Sequence, residues 1–134
     1  MRILRYAFIL AVAAIMIAIT LGFSVFRPAF DESRRGDALG CYYIDNTIVM
    51  ELTPDNLRLP GGDSMTYHIW TDKTGFAVAP HERLRLNRAR HGGWQLTRVP
   101  GLADLLRFQG RAWDRLEIDT IDRQILIARK RACT

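Results

Sequence analysis

The stretch CYYIDNTIVMELTPDNLRLPGGDSMTYHIWTDKTGFAVAP, residues 41–80, decides the fold. Short runs of β-branched and aromatic residues alternate in it with turn chemistry. Asp45-Asn46 separates CYYI from TIVMELT, and both residue types tolerate the positive φ of a tight hairpin. TPDN at 53–56 places Pro54 where a type I turn wants a preset φ. PGGD at 60–63 makes another turn. DKTG at 72–75 offers Gly75 to the hairpin that joins MTYHIWT to FAVAP. Runs of this length, broken this regularly, predict an antiparallel β meander.

The pattern continues downstream. In ERLRLN, Leu84 and Leu86 share one face, which directs Arg83 and Arg85 outward. RARHGG reads as a loop and WQLTRV as a strand. PGLADLLRFQG, 100–110, departs from the alternation. Leu102, Leu105 and Leu106 recur at helical spacing and Gly110 suits a helix end, so a short helix is expected there. RLEID turns Leu116 and Ile118 inward, Asp122-Arg123 makes a turn, and QILIARK ends the domain. Tyr42 and Tyr43 must face opposite sides of their strand, and Tyr67 and Trp70, three apart, cannot share a face. The expectation is a small all-β domain, an antiparallel meander forming a barrel or sandwich of about eight strands, with one short helix.

Upstream the composition changes. Residues 6–26, YAFILAVAAIMIAITLGFSVF, carry no charge. At about 1.5 Å per residue this run matches the roughly 30 Å hydrocarbon core of a bilayer. A secretory signal has a shorter apolar core and an adjacent small-x-small cleavage site; here Arg27 and Pro28 follow directly. A buried helix of a soluble fold carries charge on its outer face. The tetrapeptide ALGC, 38–41, resembles a lipid-attachment site. It lies well past the apolar run, beyond Asp31, Glu32, Arg34, Arg35 and Asp37, and has Ala38 where an aliphatic residue is wanted. The expected organisation is a short basic leader (1–5), a transmembrane helix acting as signal anchor (6–26), a juxtamembrane linker (27–39) and an extracytoplasmic β domain (40–134). Lys and Arg counts on the two sides do not decide orientation. The basic leader and the cysteines favour a domain facing the periplasm or exterior, held in the cytoplasmic membrane.

The two cysteines, Cys41 and Cys133, bracket the domain and belong to no metal or redox motif. A disulfide between first and last strand is expected. Closing so long a loop stabilises a fold by about 4–5 kcal/mol in the chain-entropy model. The alternative is two separate thiols in a reducing compartment.

Catalytic chemistry finds little support. His68, His81 and His91 lack the tight spacing of a zinc site. Ser24, Ser33 and Ser64 sit in no nucleophile elbow. The carboxylates fall at turns or on polar strand faces. Neither metal nor cofactor is expected.

Charge is the more informative feature. The formal net charge is +5, and 17 of the 19 basic residues are Arg. Residues 77–111 hold seven of these against Glu82 and Asp104 alone. Arg83, Arg85, Arg88, Arg90 and Arg98 are the candidate basic face. The expected function is a non-catalytic interaction module that binds an envelope protein, an anionic lipid or an anionic polymer; nucleic acid is not an expected partner. The alternatives are a small barrel holding an apolar ligand and, with less support, a small hydrolase or metal protein.

Overall fold

A computed structural model describes residues 2–25, 32–72 and 75–134. Helix α1 spans Arg2–Val25. A 3-10 turn at Glu32–Arg34 runs into the single-turn helix α2, Arg35–Ala38. Ten strands follow: β1 (Gly40–Ile44), β2 (Thr47–Leu52), β3 (Asn56–Arg58), β4 (Ser64–Asp72), β5 (Gly75–Pro80), β6 (Leu84–Arg88), β7 (Trp94–Arg98), β8 (Leu106–Phe108), β9 (Arg115–Asp119) and β10 (Ile125–Arg131).

Eight of the strands close into a barrel in the order β1-β10-β9-β8-β5-β4-β3-β2, while β6 and β7 pair only with each other. All ladders are antiparallel, so the meander puts the β1–β2, β3–β4 and β9–β10 turns at one end. The β6–β7 hairpin, inserted between β5 and β8, emerges at that same end and lies across it as a lid. The chain enters the barrel at the opposite end, through α2.

The expected turns are present. Asp45 has φ 55 and Arg123 has φ 67. Gly75 has φ 124; Lys73 and Thr74 of the same turn lie outside the described residues. Alternation along each strand fills the interior. Tyr42, Met50, Leu52, Leu57, Val78, Leu106, Leu116, Ile118 and Ala128 are buried in one cluster, and Leu84, Leu86 and Leu96 of the lid join it. The interior is therefore occupied by the protein's own side chains, as in other small barrels. A bulge between Tyr42 and Tyr43 shifts the register opposite Ile48 and Met50. Tyr42 points inward and is buried, and Tyr43 is on the outer face. Likewise Tyr67 is buried while Trp70 is 48% exposed.

The expected helix at 100–110 is not formed. Leu106–Phe108 is strand β8, with Leu106 inside against Val78 of β5 and Phe108 beside Leu116 of β9. The barrel needs a strand between β5 and β9 to close. That tertiary demand overrides three leucines at helical spacing, and Leu102 is left 91% exposed. The short helix lies instead at Arg35–Ala38, in the stretch expected to be linker; residues 27–31 of that stretch are outside the described residues.

The entry end is closed by specific polar contacts. The Tyr42 hydroxyl shares its proton between the carbonyls of Ala38 (2.7 Å) and Trp113 (3.2 Å). Arg34 lies over the Trp113 ring at 5.0 Å, and Arg35 donates to the Pro54 carbonyl at 2.9 Å. The Lys130 stem passes Gly40 closely, where a Cβ would stand 3.3 Å from it, and its ammonium donates to the Asp37 carbonyl. The disulfide joins Cys41 to Cys133, as expected from their positions at the two ends of the domain.

Residues 6–20 of α1 are exposed on every side and are all uncharged. Among the described residues no helix is long and apolar enough to cross a membrane. Residues 6–20 alone extend about 22 Å at the helical rise, short of a bilayer core. The expected transmembrane helix over 6–26 is thus not shown.

Candidate interaction surface

All five candidate arginines fall on or beside the lid, and most of their charge is answered there. The strand alternation predicted Arg85 to point into solvent. Instead its side chain is only 14% exposed and bridges Asp104 (2.8 Å) and Asp119 (2.7 Å). The lid lies across the barrel end, so its polar face also meets protein: the loop before β8 on one side and the end of β9 on the other. Arg83 joins the same Asp104 at 2.9 Å. Arg98 bridges Glu82 (2.7 Å) and Asp63 (2.9 Å), and so ties β7 to the β3–β4 turn. These three arginines fasten the lid. Arg88 lies 4.0 Å over the ring of Trp94, a cation–π contact that keeps the guanidinium at the surface. Arg90 is exposed at the lid tip.

The tip rests on the barrel closely. A Cβ on Gly93 would stand 2.6 Å from Oγ1 of Thr47. Across the lid, the Ile121 amide donates to the Leu86 carbonyl at 3.0 Å.

A second group of arginines lies outside the expected basic face. Arg129 and Arg131 stand on the outer face of β10, with Ile127 and Ile125 two and four positions before Arg129. Arg131 reaches over the ring of Tyr43 (5.8 Å) to the side chain of Asn46 (3.3 Å). The signal was available: in ILIARKR every second residue shares a face, so two isoleucines and two arginines form one row. Their weight comes from the position of β10 at the closing seam, which no local pattern encodes.

Two depressions mark this end. One, of about 320 Å³, lies between the lid and the β9–β10 turn, with Arg88, Trp94, Ile121 and Gln124 on its walls. The other, of about 310 Å³, lies between β1 and β10, lined by Tyr43, Ile44, Asp45, Leu126, Ile127, Arg129 and Arg131. Ile121, in the β9–β10 turn, and Ile125, at the start of β10, are 52% and 60% exposed.

The histidines are exposed on separate elements: His68 on β4, His81 after β5, His91 at the lid tip. The His68 ring meets Trp70 edge-on at 6.2 Å. Cys41, Cys133 and Glu51 place donor atoms within 4.8 Å of one another. The disulfide engages both sulfurs, so this trio does not fit a metal while the bond is intact. At the entry end, burial pushes the Tyr42 phenol far above its ordinary range, and the nearby Tyr67 and Asp114 add to the effect. Burial raises Tyr67 as well, opposed by Arg35. Both phenols serve as neutral donors, Tyr67 to the Thr53 carbonyl at 2.7 Å.

No family model, curated protein or solved structure matches the chain.

Proposed function

We propose that the chain is a membrane-anchored, extracytoplasmic interaction module of the cell envelope, without catalytic activity, which binds another envelope protein. The observation that carries this reading is the exposed apolar surface of α1. Its residues 6–20 are exposed and uncharged on all faces. A helix of that kind leaves a large apolar area in water, worth about 25 cal/mol per Å², unless lipid or another apolar surface covers it. In this reading the whole charge-free run of residues 6–26 enters the bilayer. The disulfide accords with an oxidising compartment. The filled barrel interior disfavours the alternative of an enclosed apolar ligand.

Two measurements on the full chain, made in its own membranes, test the anchoring and the compartment. Alkaline carbonate extraction should leave it in the pellet. Its intact mass, taken without reductant, should be full-length and gain alkyl groups only after reduction. Release by carbonate, or alkylation without reduction, would overturn the reading.

A further inference from the structure

The barrel closes between β1 and β10, and this closure is incomplete. The ladder runs from Cys41↔Arg131 to Tyr43↔Arg129 and stops. Strand β10 continues to Ile125, still paired with β9 on its other side through Asp119. The edge of residues 125–128 that faces β1 therefore has no ladder partner among the described residues. The depression of about 310 Å³ opens at this gap. Its floor is Ile44 and Leu126, and Arg129 and Arg131 stand on its rim against one acid, Asp45. Unpaired strand edge, apolar floor and basic rim coincide in one place.

We propose that this open seam is a docking site for an extended acidic segment of a partner protein, which adds to β10 as a short strand. The proposal rests on the interaction-module reading and deepens it. Main-chain hydrogen bonds from the added strand would extend the interrupted ladder, and its alternate side chains would meet different surroundings. Carboxylates on one face reach Arg129 and Arg131. An apolar residue follows the floor toward Ile125 and Ile121, whose exposure places them along its exit.

Charge decides against the competing occupants. A second copy of the chain would bring Arg129 and Arg131 against the same two arginines, with only Asp45 to offset them in the seam. An anionic bilayer matches in charge but offers no peptide groups to pair with β10. The seam also lies toward the end of the barrel opposite chain entry. Five-residue strands at the usual tilt put the two ends roughly 13 Å apart, beyond the screening length at physiological salt.

The test uses the full chain in detergent and a labelled, end-capped peptide of alternating Asp and Val. Saturable binding is expected. Arg129→Glu with Arg131→Glu should weaken it about tenfold or more, as rim charges opposite acids do. Arg58→Glu, on β3, should leave it unchanged. N-methylation of alternate peptide amides should abolish it, since those amides could no longer donate to β10. Four results would overturn the proposal: no saturable binding, equal binding of the Lys-Val peptide, indifference to N-methylation, or displacement of the peptide by phosphatidylglycerol vesicles. Carbonate extraction of the same variants is read in parallel. A chain that stays in the membrane while binding no peptide loses the seam site and keeps its anchor.

Discussion

Arg85 holds Asp119 at 2.7 Å, and this pair bolts the lid hairpin to the strand beneath it. The same guanidinium takes Asp104 at 2.8 Å, so one side chain fixes the lid at two points. Arg85→Ala would leave Asp119 without its cation and Asp104 with Arg83 alone. The expected loss is about 2 kcal/mol, read as a lower urea midpoint at unchanged slope. Arg90→Ala, at the exposed tip, should stay within about 0.5 kcal/mol of the parent. Equal midpoints for the two variants would show that the clamp contributes nothing.

The lid also depends on a missing side chain. Gly93 has φ 75, and a Cβ there would collide with Thr47. Gly93→Ala should cost about 2 kcal/mol, part from the left-handed backbone and part from the clash. Thr47→Ala in the same chain removes the colliding oxygen. It should recover the steric part and leave about 1 kcal/mol of backbone strain. No recovery in the double variant would mean that the tip does not rest on Thr47.

Alkali should unfold the barrel from its entry end. Tyr42 and Tyr67 both titrate above the ordinary phenol value in the folded state. The stability they contribute is thus complete below about pH 10, and it is lost as pH rises through their raised folded values. Tyr42→Phe should cost about 1–2 kcal/mol at neutral pH, because the Ala38 and Trp113 carbonyls lose their donor. It should also flatten the alkaline limb. An alkaline limb identical to the parent's would exclude Tyr42 as its source.

Reduction should weaken the fold most of all. Cys41 and Cys133 are 92 positions apart, and constraining so long a loop is worth about 4–5 kcal/mol in the chain-entropy model. The Cys41→Ser, Cys133→Ser double variant should reproduce the effect of reductant on the urea midpoint. It should itself be insensitive to reductant.

Local chemistry announced most of the barrel. Asp45-Asn46 and Asp122-Arg123 needed only the tolerance of a tight turn, and Leu116 and Ile118 only the two-residue period. The cysteines at both ends of the domain foretold their pairing. What alternation could not reveal was the second layer. Leu84 and Leu86 point inward as their spacing requires, yet the opposite face of β6 is also covered, so Arg85 meets carboxylates far away in sequence. The segment at 100–110 was misread for a related reason. Its leucines satisfy a helical period, but the neighbours that make 106–108 a strand, Val78 beside Leu106 and Leu116 beside Phe108, come from other turns of the meander. The docking seam was less legible still. Arg129 and Arg131 were written plainly in one row, but that their strand runs past its partner is a property of closure.

Because Cys41 is the second residue of β1, the disulfide also sets how the domain bears mechanical load. Tension arriving from the amino-terminal side would otherwise peel β1 from β10 one rung at a time, the least demanding way to open a barrel. The covalent rivet beside the point of entry passes that tension at once to the far end of the chain. The seam must then yield as a whole, in shear. A domain loaded at both ends would keep its shape under such a pull.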